Sequence, residues 1–176
     1  MKAVFLDRDG VLNKVFVKNG KSYAPRTFSA FKLYPNIKKY CKELKKKGYL
    51  LIIVTNQPDV ASGLLEFKEL KRMNFFLKQE INYDKIYISY SVSDSSYFKK
   101  PNPGMLKKAQ KEFNLDINNC YLIGDRWKDI EAAEKISCKA IFINRNYNEK
   151  KPTYQKTSVK SFAAAAKYIL KKNENK

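Results

Sequence analysis

The sequence predicts an α/β fold, a doubly wound, Rossmann-like parallel sheet of about five strands flanked by helices. Two patterns carry that expectation. Short apolar runs alternate with amphipathic stretches at helical spacing, and no internal repeat interrupts the alternation. Several of the apolar runs also end in polar, chemistry-bearing residues, as strands do where an open sheet meets its ligand.

The first run, Ala3-Val4-Phe5-Leu6, is too short for a helix and reads as a buried strand that breaks into Asp7-Arg8-Asp9-Gly10. Residues i and i+2 of an extended segment project to the same side, and Gly10 permits a sharp exit, so Asp7 and Asp9 can face one point. Residues 14–34 hold Gly20 and Pro25 and little periodicity, which marks a loop or small excursion over the sheet edge. The segment 35–48 opens on Pro35, repeats Ile37, Tyr40, Cys41 and Leu44 at helical spacing, and stops at Gly48. Residues 50–54 form a continuous apolar run, as a strand buried on both faces should, and end in Thr55-Asn56-Gln57-Pro58.

A loop over 59–65 then leads into a helix over 66–81, with Phe67, Leu70, Met73, Phe76 and Leu77 in helical rhythm. Residues 86–90 are the third strand, followed by a polar stretch, and Lys99-Lys100-Pro101-Asn102-Pro103-Gly104 opens a helix through Leu106, Ala109 and Phe113. The fourth strand, 121–123, ends at Gly124-Asp125-Arg126-Trp127-Lys128-Asp129, and a helix continues over 130–136. Residues 140–143 are the fifth strand, and 161–170 a closing helix with a frayed, charged tail from Lys171.

At 176 residues the chain is expected to be a single domain spanning 1–176. No apolar run approaches a membrane span and the first strand leaves no room for a signal peptide, so the expected location is the cytoplasm. Cys41, Cys120 and Cys138 sit among apolar or helical neighbours and read as small buried residues, not disulfides or metal ligands. The count of 0 histidines removes His-activated nucleophiles, His bases and His-ligated zinc together. The net charge of +19 suggests anionic partners, but Lys outnumbers Arg heavily and is the less discriminating phosphate binder; most of that charge reads as solvated surface.

In the expected architecture, consecutive strand ends deposit Asp7 with Asp9, Thr55 with Asn56, and Asp125 with Asp129 at one edge, beside Lys99 and Lys100. Clustered acids repel one another, and a hard divalent cation such as Mg²⁺ is their natural partner because it takes oxygen ligands and retains room for a substrate phosphate. A hydroxyl, an amide and an ammonium nearby supply donors for phosphate oxygens, so the substrate class is a phosphate ester. Asp7 at the strand tip is the expected nucleophile and Asp9 the acid that protonates the leaving alcohol and then activates water. Asp7, Asp9 (through its backbone carbonyl) and Asp125 are the expected Mg²⁺ ligands, with Lys100 neutralising charge at Asp7. Thr55, Asn56, Gln57, Lys99, Lys100 and Arg126 are the candidate phosphate or substrate binders, with Thr55 and Lys100 counted in the catalytic set.

Asp7-x-Asp9-Gly10-Val11, Thr55-Asn56, Lys100 before Pro-x-Pro-Gly-Met, and Gly124-Asp125-x-x-x-Asp129 resemble, in order, the four motifs of the haloacid dehalogenase superfamily of aspartate-nucleophile phosphatases. The finer details resemble the subgroup containing heptose 1,7-bisphosphate 7-phosphatases and the histidinol-phosphatase domain. That resemblance implies a minimal cap and the same roles for Asp7, Asp9, Thr55, Lys100 and Asp125. It also implies a small phosphorylated sugar or alcohol as substrate, first of all the 7-phosphate of a heptose bisphosphate. Histidinol phosphate, a nucleic-acid 3′-phosphate, or a non-catalytic basic binding module are the alternatives. Members of the subgroup commonly carry a Cys- and His-rich zinc loop before the Lys-Pro motif; residues 89–100 here contain neither residue type, so no zinc is expected.

Overall fold

The computed structural model describes residues 1–153 and 157–172. Six parallel strands form the main sheet: β1 (Lys2–Leu6), β4 (Tyr49–Asn56), β5 (Lys85–Ser89), β6 (Tyr121–Gly124), β7 (Lys139–Ile143) and β8 (Ser158–Val159). Their order is β5-β4-β1-β6-β7-β8, so the chain winds outward from β1 in one direction and then from β6 in the other. β1 is the centre, paired to β4 on one side and β6 on the other, and Ala3, Val4, Phe5 and Leu6 are fully buried there.

The period of two along each strand sends side chains to opposite faces. Val4, Leu6, Leu51, Ile53 and Ile123 pack on α1 (Ile37–Lys46), α3 (Phe67–Ile81) and α6 (Phe162–Lys172), through Leu44, Met73, Leu77 and Ile169. Ala3, Phe5, Ile52, Val54 and Leu122 pack on α4 (Gly104–Phe113) and α5 (Trp127–Glu134), through Met105, Ala109 and Ala132. Burying one such Leu, Ile or Phe contributes about 1.5–3 kcal/mol, so the two apolar layers are what hold the strand ends in register.

Four features depart from the expected pattern. The sheet has a sixth strand, β8, whose two residues pair with Phe142 and Ile143; two residues are too few to show a periodicity. The segment 14–34 carries an antiparallel hairpin, β2 (Phe16–Lys18) and β3 (Lys21–Tyr23), turning at Asn19 and Gly20 with φ of 52° and 73°. A short helix, α2 (Pro58–Ala61), occupies the start of the loop after β4. α5 also begins at Trp127, earlier than the apolar pattern implied, because the Asp129 carboxylate accepts from the Arg126 N–H while the Asp129 N–H donates to the Arg126 carbonyl.

Of the charged tail expected from Lys171, Lys171 and Lys172 continue α6 and the rest lies outside the described residues. Cys41, Cys120 and Cys138 are buried free thiols. Among the described residues, no helix is long and apolar enough to cross a membrane.

Candidate active site

β1, β4 and β6 are neighbours, so the loops leaving their C-terminal ends converge. Asp7 extends β1 by donating its backbone N–H to the Ile123 carbonyl at 3.0 Å. The chain then folds back tightly: Leu12 and Asn13 N–H donate to the Arg8 carbonyl, and Gly10 N–H donates to that of Asn13. Gly10 sits at φ +87°, and a Cβ there would lie 1.8 Å from Asp125 Oδ2. Only glycine meets both the left-handed backbone and the close approach.

Lys100 is the hub of the cluster. Its ammonium donates to Asp129 Oδ1 at 2.6 Å, lies 2.9 Å from Asp7 Oδ1, and donates to the Val54 carbonyl at 2.7 Å. Asn56 fixes the backbone that presents it, its amide donating to the Lys100 carbonyl while its oxygen accepts the Lys100 N–H, both at 3.0 Å. Burial alone would depress the Lys100 ammonium, but Asp129 and Asp7 outweigh it and hold its pKa above the ordinary value.

Asp7, Asp125 and Asp129 each offer an oxygen within 4.8 Å of the others, all buried. Burial and then Asp129 push the Asp7 carboxyl up to about 7, against the pull of Lys100. Burial, Asp7 and Asp129 push Asp125 well above the usual carboxylate range. The three acids are not equivalent. Asp129 is engaged on both oxygens, with Lys100 on one and the Arg126 N–H on the other at 3.0 Å. Asp7 Oδ1 accepts from the Arg8 N–H at 2.8 Å as well as facing Lys100. Asp125 accepts from the Tyr147 hydroxyl on Oδ2 at 2.8 Å, and its Oδ1 is buried with no partner among the described residues. An orphaned, buried carboxylate oxygen beside a second acid is a donor set that fits a hard divalent cation.

Asp9 stands apart from the trio. Arg8, fully buried, places Nη2 3.0 and 2.9 Å from the two oxygens of Asp9, Asn13 Nδ2 donates at 2.9 Å, and Gln57 Nε2 donates at 2.6 Å. The Gln57 amide also donates to Thr55 Oγ1 at 2.9 Å, which leaves the Thr55 hydroxyl proton free to donate. Asp9 thus borders the cleft as a carboxylate fixed by neighbours on several sides, while the metal-type cluster is made by Asp7, Asp125 and Asp129.

The cleft of about 250 Å³ is lined by Asp7, Asp9, Asn56, Gln57, Lys99, Lys100, Arg126, Lys128 and Asp129, with Val15, Ser22, Tyr23 and Ala24 of the hairpin region on one side. Two expected anion binders are already engaged. Lys99 donates to the Val92 carbonyl at 2.6 Å and pairs with Asp94 at 2.9 Å, pinning the segment before the Lys-Pro motif. Arg126 is held by Glu149, Nε at 3.1 Å to each oxygen. Four residues of the site escaped the sequence reading: Arg8, Asn13, Tyr147 and Glu149. Arg8 sits inside the quoted first motif and Asn13 two residues past its end; Tyr147 and Glu149 lie on the connection after β7, which shows no periodicity to single them out.

Comparison with known proteins assigns the class. Residues 22–136 match the haloacid dehalogenase-like hydrolase family, and the chain belongs to that family of enzymes. Its relatives include a Campylobacter jejuni D-glycero-alpha-D-manno-heptose-1,7-bisphosphate 7-phosphatase, 36% identical over 74% of this chain and 75% of the relative. A Haemophilus ducreyi D-glycero-beta-D-manno-heptose-1,7-bisphosphate 7-phosphatase is 32% identical over 78% of this chain and 80% of its own length. Among solved structures, a D,D-heptose 1,7-bisphosphate phosphatase from B. bronchiseptica, complexed with magnesium and phosphate, superposes with a TM-score of 0.83 over 98% of this chain and 99% of that one. At 21% identity that likeness shows the shared fold.

Proposed function

We propose that the protein is a Mg²⁺-dependent phosphomonoesterase that removes the 7-phosphate of a heptose 1,7-bisphosphate, working as one domain in the cytoplasm. The observation that carries the chemistry is the pairing of Asp7 with Lys100 at 2.9 Å beside the partnerless Asp125 Oδ1. The relatives named for that activity support the substrate.

Asp7 attacks phosphorus with the oxygen that Lys100 and the Arg8 N–H do not hold. The bond from phosphorus to the sugar oxygen breaks, and Asp9 delivers a proton to that oxygen, so the alcohol leaves neutral and an acyl phosphate remains on Asp7. Asp9 then takes a proton from water, whose oxygen bonds to phosphorus as the acyl phosphate breaks; orthophosphate leaves and both carboxyl groups are restored. Arg8, Asn13 and Gln57 keep Asp9 aimed at the cleft through both steps. The Thr55 hydroxyl and Lys100 ammonium are the donors for phosphoryl oxygens. Asp7 and Asp125, with the Asp9 backbone carbonyl, would hold Mg²⁺, and Asp129 acts through Lys100. Bound there, the ion supplies positive charge to the phosphoryl oxygens as negative charge builds on them.

The test is phosphate release with Mg²⁺ from both anomers of D-glycero-D-manno-heptose 1,7-bisphosphate, histidinol phosphate and a 3′-phosphorylated oligonucleotide. The heptose bisphosphates are expected to give a kcat/KM at least about tenfold above the others, about 1.4 kcal/mol of discrimination, and chelation of the metal to abolish turnover. Turnover of the oligonucleotide alone would transfer the mechanism to a different substrate. Release of phosphate from none of them would overturn the substrate reading.

A further inference from the structure

The connection between β7 and β8 reaches back across the molecule to touch the site at several points. Arg145 donates from Nε to the Gly10 carbonyl at 3.0 Å and stacks over Tyr34, its guanidinium carbon 3.9 Å from the ring centre. Tyr147, 4% exposed, donates from its hydroxyl to Asp125 Oδ2. Asn148 donates its N–H to the Gly20 carbonyl at 2.7 Å, and Glu149 holds Arg126. Gly20 packs so tightly here that a Cβ on it would lie 2.5 Å from that of Asn148. One strap of about seven residues therefore ties the first loop, the hairpin tip and the β6 loop together.

Within that strap Tyr147 hydrogen-bonds an acid of the cluster. From this geometry we infer that Tyr147 is a positioning residue for the metal-binding carboxylate, its hydroxyl occupying Oδ2 of Asp125 so that Oδ1 is the atom left for the cation. The inference rests on the reading of Asp125 as a metal ligand. A carboxylate buried without that hydrogen bond is free to rotate, and it would then offer either oxygen, or turn toward Lys100, at the expense of the ligating pose. Partners that orient a ligand typically change metal affinity by about 10- to 100-fold. The same contact gives a route from the mouth to the metal: Asn148 and Tyr147 are adjacent, so the hairpin that lines the cleft and the Asp125 carboxylate lean on one short backbone segment. A phenylalanine would keep the buried ring of Tyr147 and delete only the donor.

The experiment is calorimetric titration of Mg²⁺ into the substrate-free full-length protein, with the Mg²⁺ dependence of turnover measured alongside. Tyr147→Phe is expected to weaken Mg²⁺ binding by about tenfold or more and to move the Mg²⁺ dependence of turnover to correspondingly higher concentration, with the metal-free melting temperature close to wild type. Tyr147→Gln, whose amide is also a donor, is expected to recover part of the lost affinity, which packing alone would not do. Unchanged Mg²⁺ affinity in Tyr147→Phe, with affinity lost in Asp125→Asn, would overturn the role of Tyr147. Unchanged affinity in Asp125→Asn would instead overturn the assignment of Asp125 as a ligand.

Discussion

Asp7→Asn is expected to lower kcat by about 10⁴-fold or more, equivalent to about 5.5 kcal/mol of barrier, because an amide cannot form the acyl phosphate on which both half-reactions run. The fold is expected to survive. In the metal-free protein the buried carboxyl of Asp7 holds its proton up to about 7 rather than 3.8. A folded-state pKa raised in this way stabilises the folded chain only at low pH, and that contribution disappears as pH rises from 3.8 through about 7. At pH 7.5 the ionised Asp7 is thus a net burden on the metal-free fold, and the neutral amide is expected to leave the melting temperature unchanged or raise it. Steady-state turnover and a metal-free thermal melt check both halves; turnover within about tenfold of wild type would remove Asp7 from the reaction.

Lys100→Ala is expected to have the opposite balance, losing both activity and stability. The ammonium is buried between Asp7 and Asp129 and bonded to the Val54 carbonyl. Its removal leaves buried carboxylates without a counter-charge, a change that costs about 3–5 kcal/mol. For a chain of this size that corresponds to a fall in melting temperature of roughly 6–20 °C. Lys100→Met, which keeps the length of the side chain and deletes the charge, is expected to fall nearly as far. A melting temperature within about 2 °C of wild type for both variants would mean that solvent or another cation already compensates the acids, against the burial seen here.

Much of this was legible in the chain itself, and the residues that were not share a physical reason. The strands that carry the site, β1, β4 and β6, are long enough or apolar enough to announce themselves, and each ends directly in its motif. Asp7, Thr55, Lys100 and Asp125 could be brought to one edge from topology alone. β8 could not, because a two-residue edge strand depends on its partner β7 and not on any pattern of its own. The hairpin was a different case: Asn19-Gly20 is a turn signal in plain view, hidden by flanking strands of only three residues. Within the site, pattern named the acids but could not rank them. That Asp125 has an oxygen with no partner among the described residues while Asp129 is engaged on both oxygens, by Lys100 and the Arg126 N–H, is a fact of side-chain geometry. Lys99 and Arg126, expected to bind phosphate or substrate, are engaged by Asp94 and Glu149, and both partners come from loops with no periodicity. Tyr147 lies 22 residues past Asp125, beyond the end of the last motif, and is joined to it only by the fold.

The most direct measurement is the position of the phosphoryl group in a stalled reaction. An aryl phosphate needs no proton on its leaving group, so Asp9→Asn is expected to complete the first half-reaction with it and stall in the second. Acid quench followed by peptide mass spectrometry is predicted to find the phosphoryl group on the peptide carrying Asp7, and none in the Asp7→Asn, Asp9→Asn double variant. Turnover by the wild-type protein with no phosphorylated peptide in the stalled variant, or with the phosphoryl group on any residue other than Asp7, would contradict the aspartyl-phosphate mechanism.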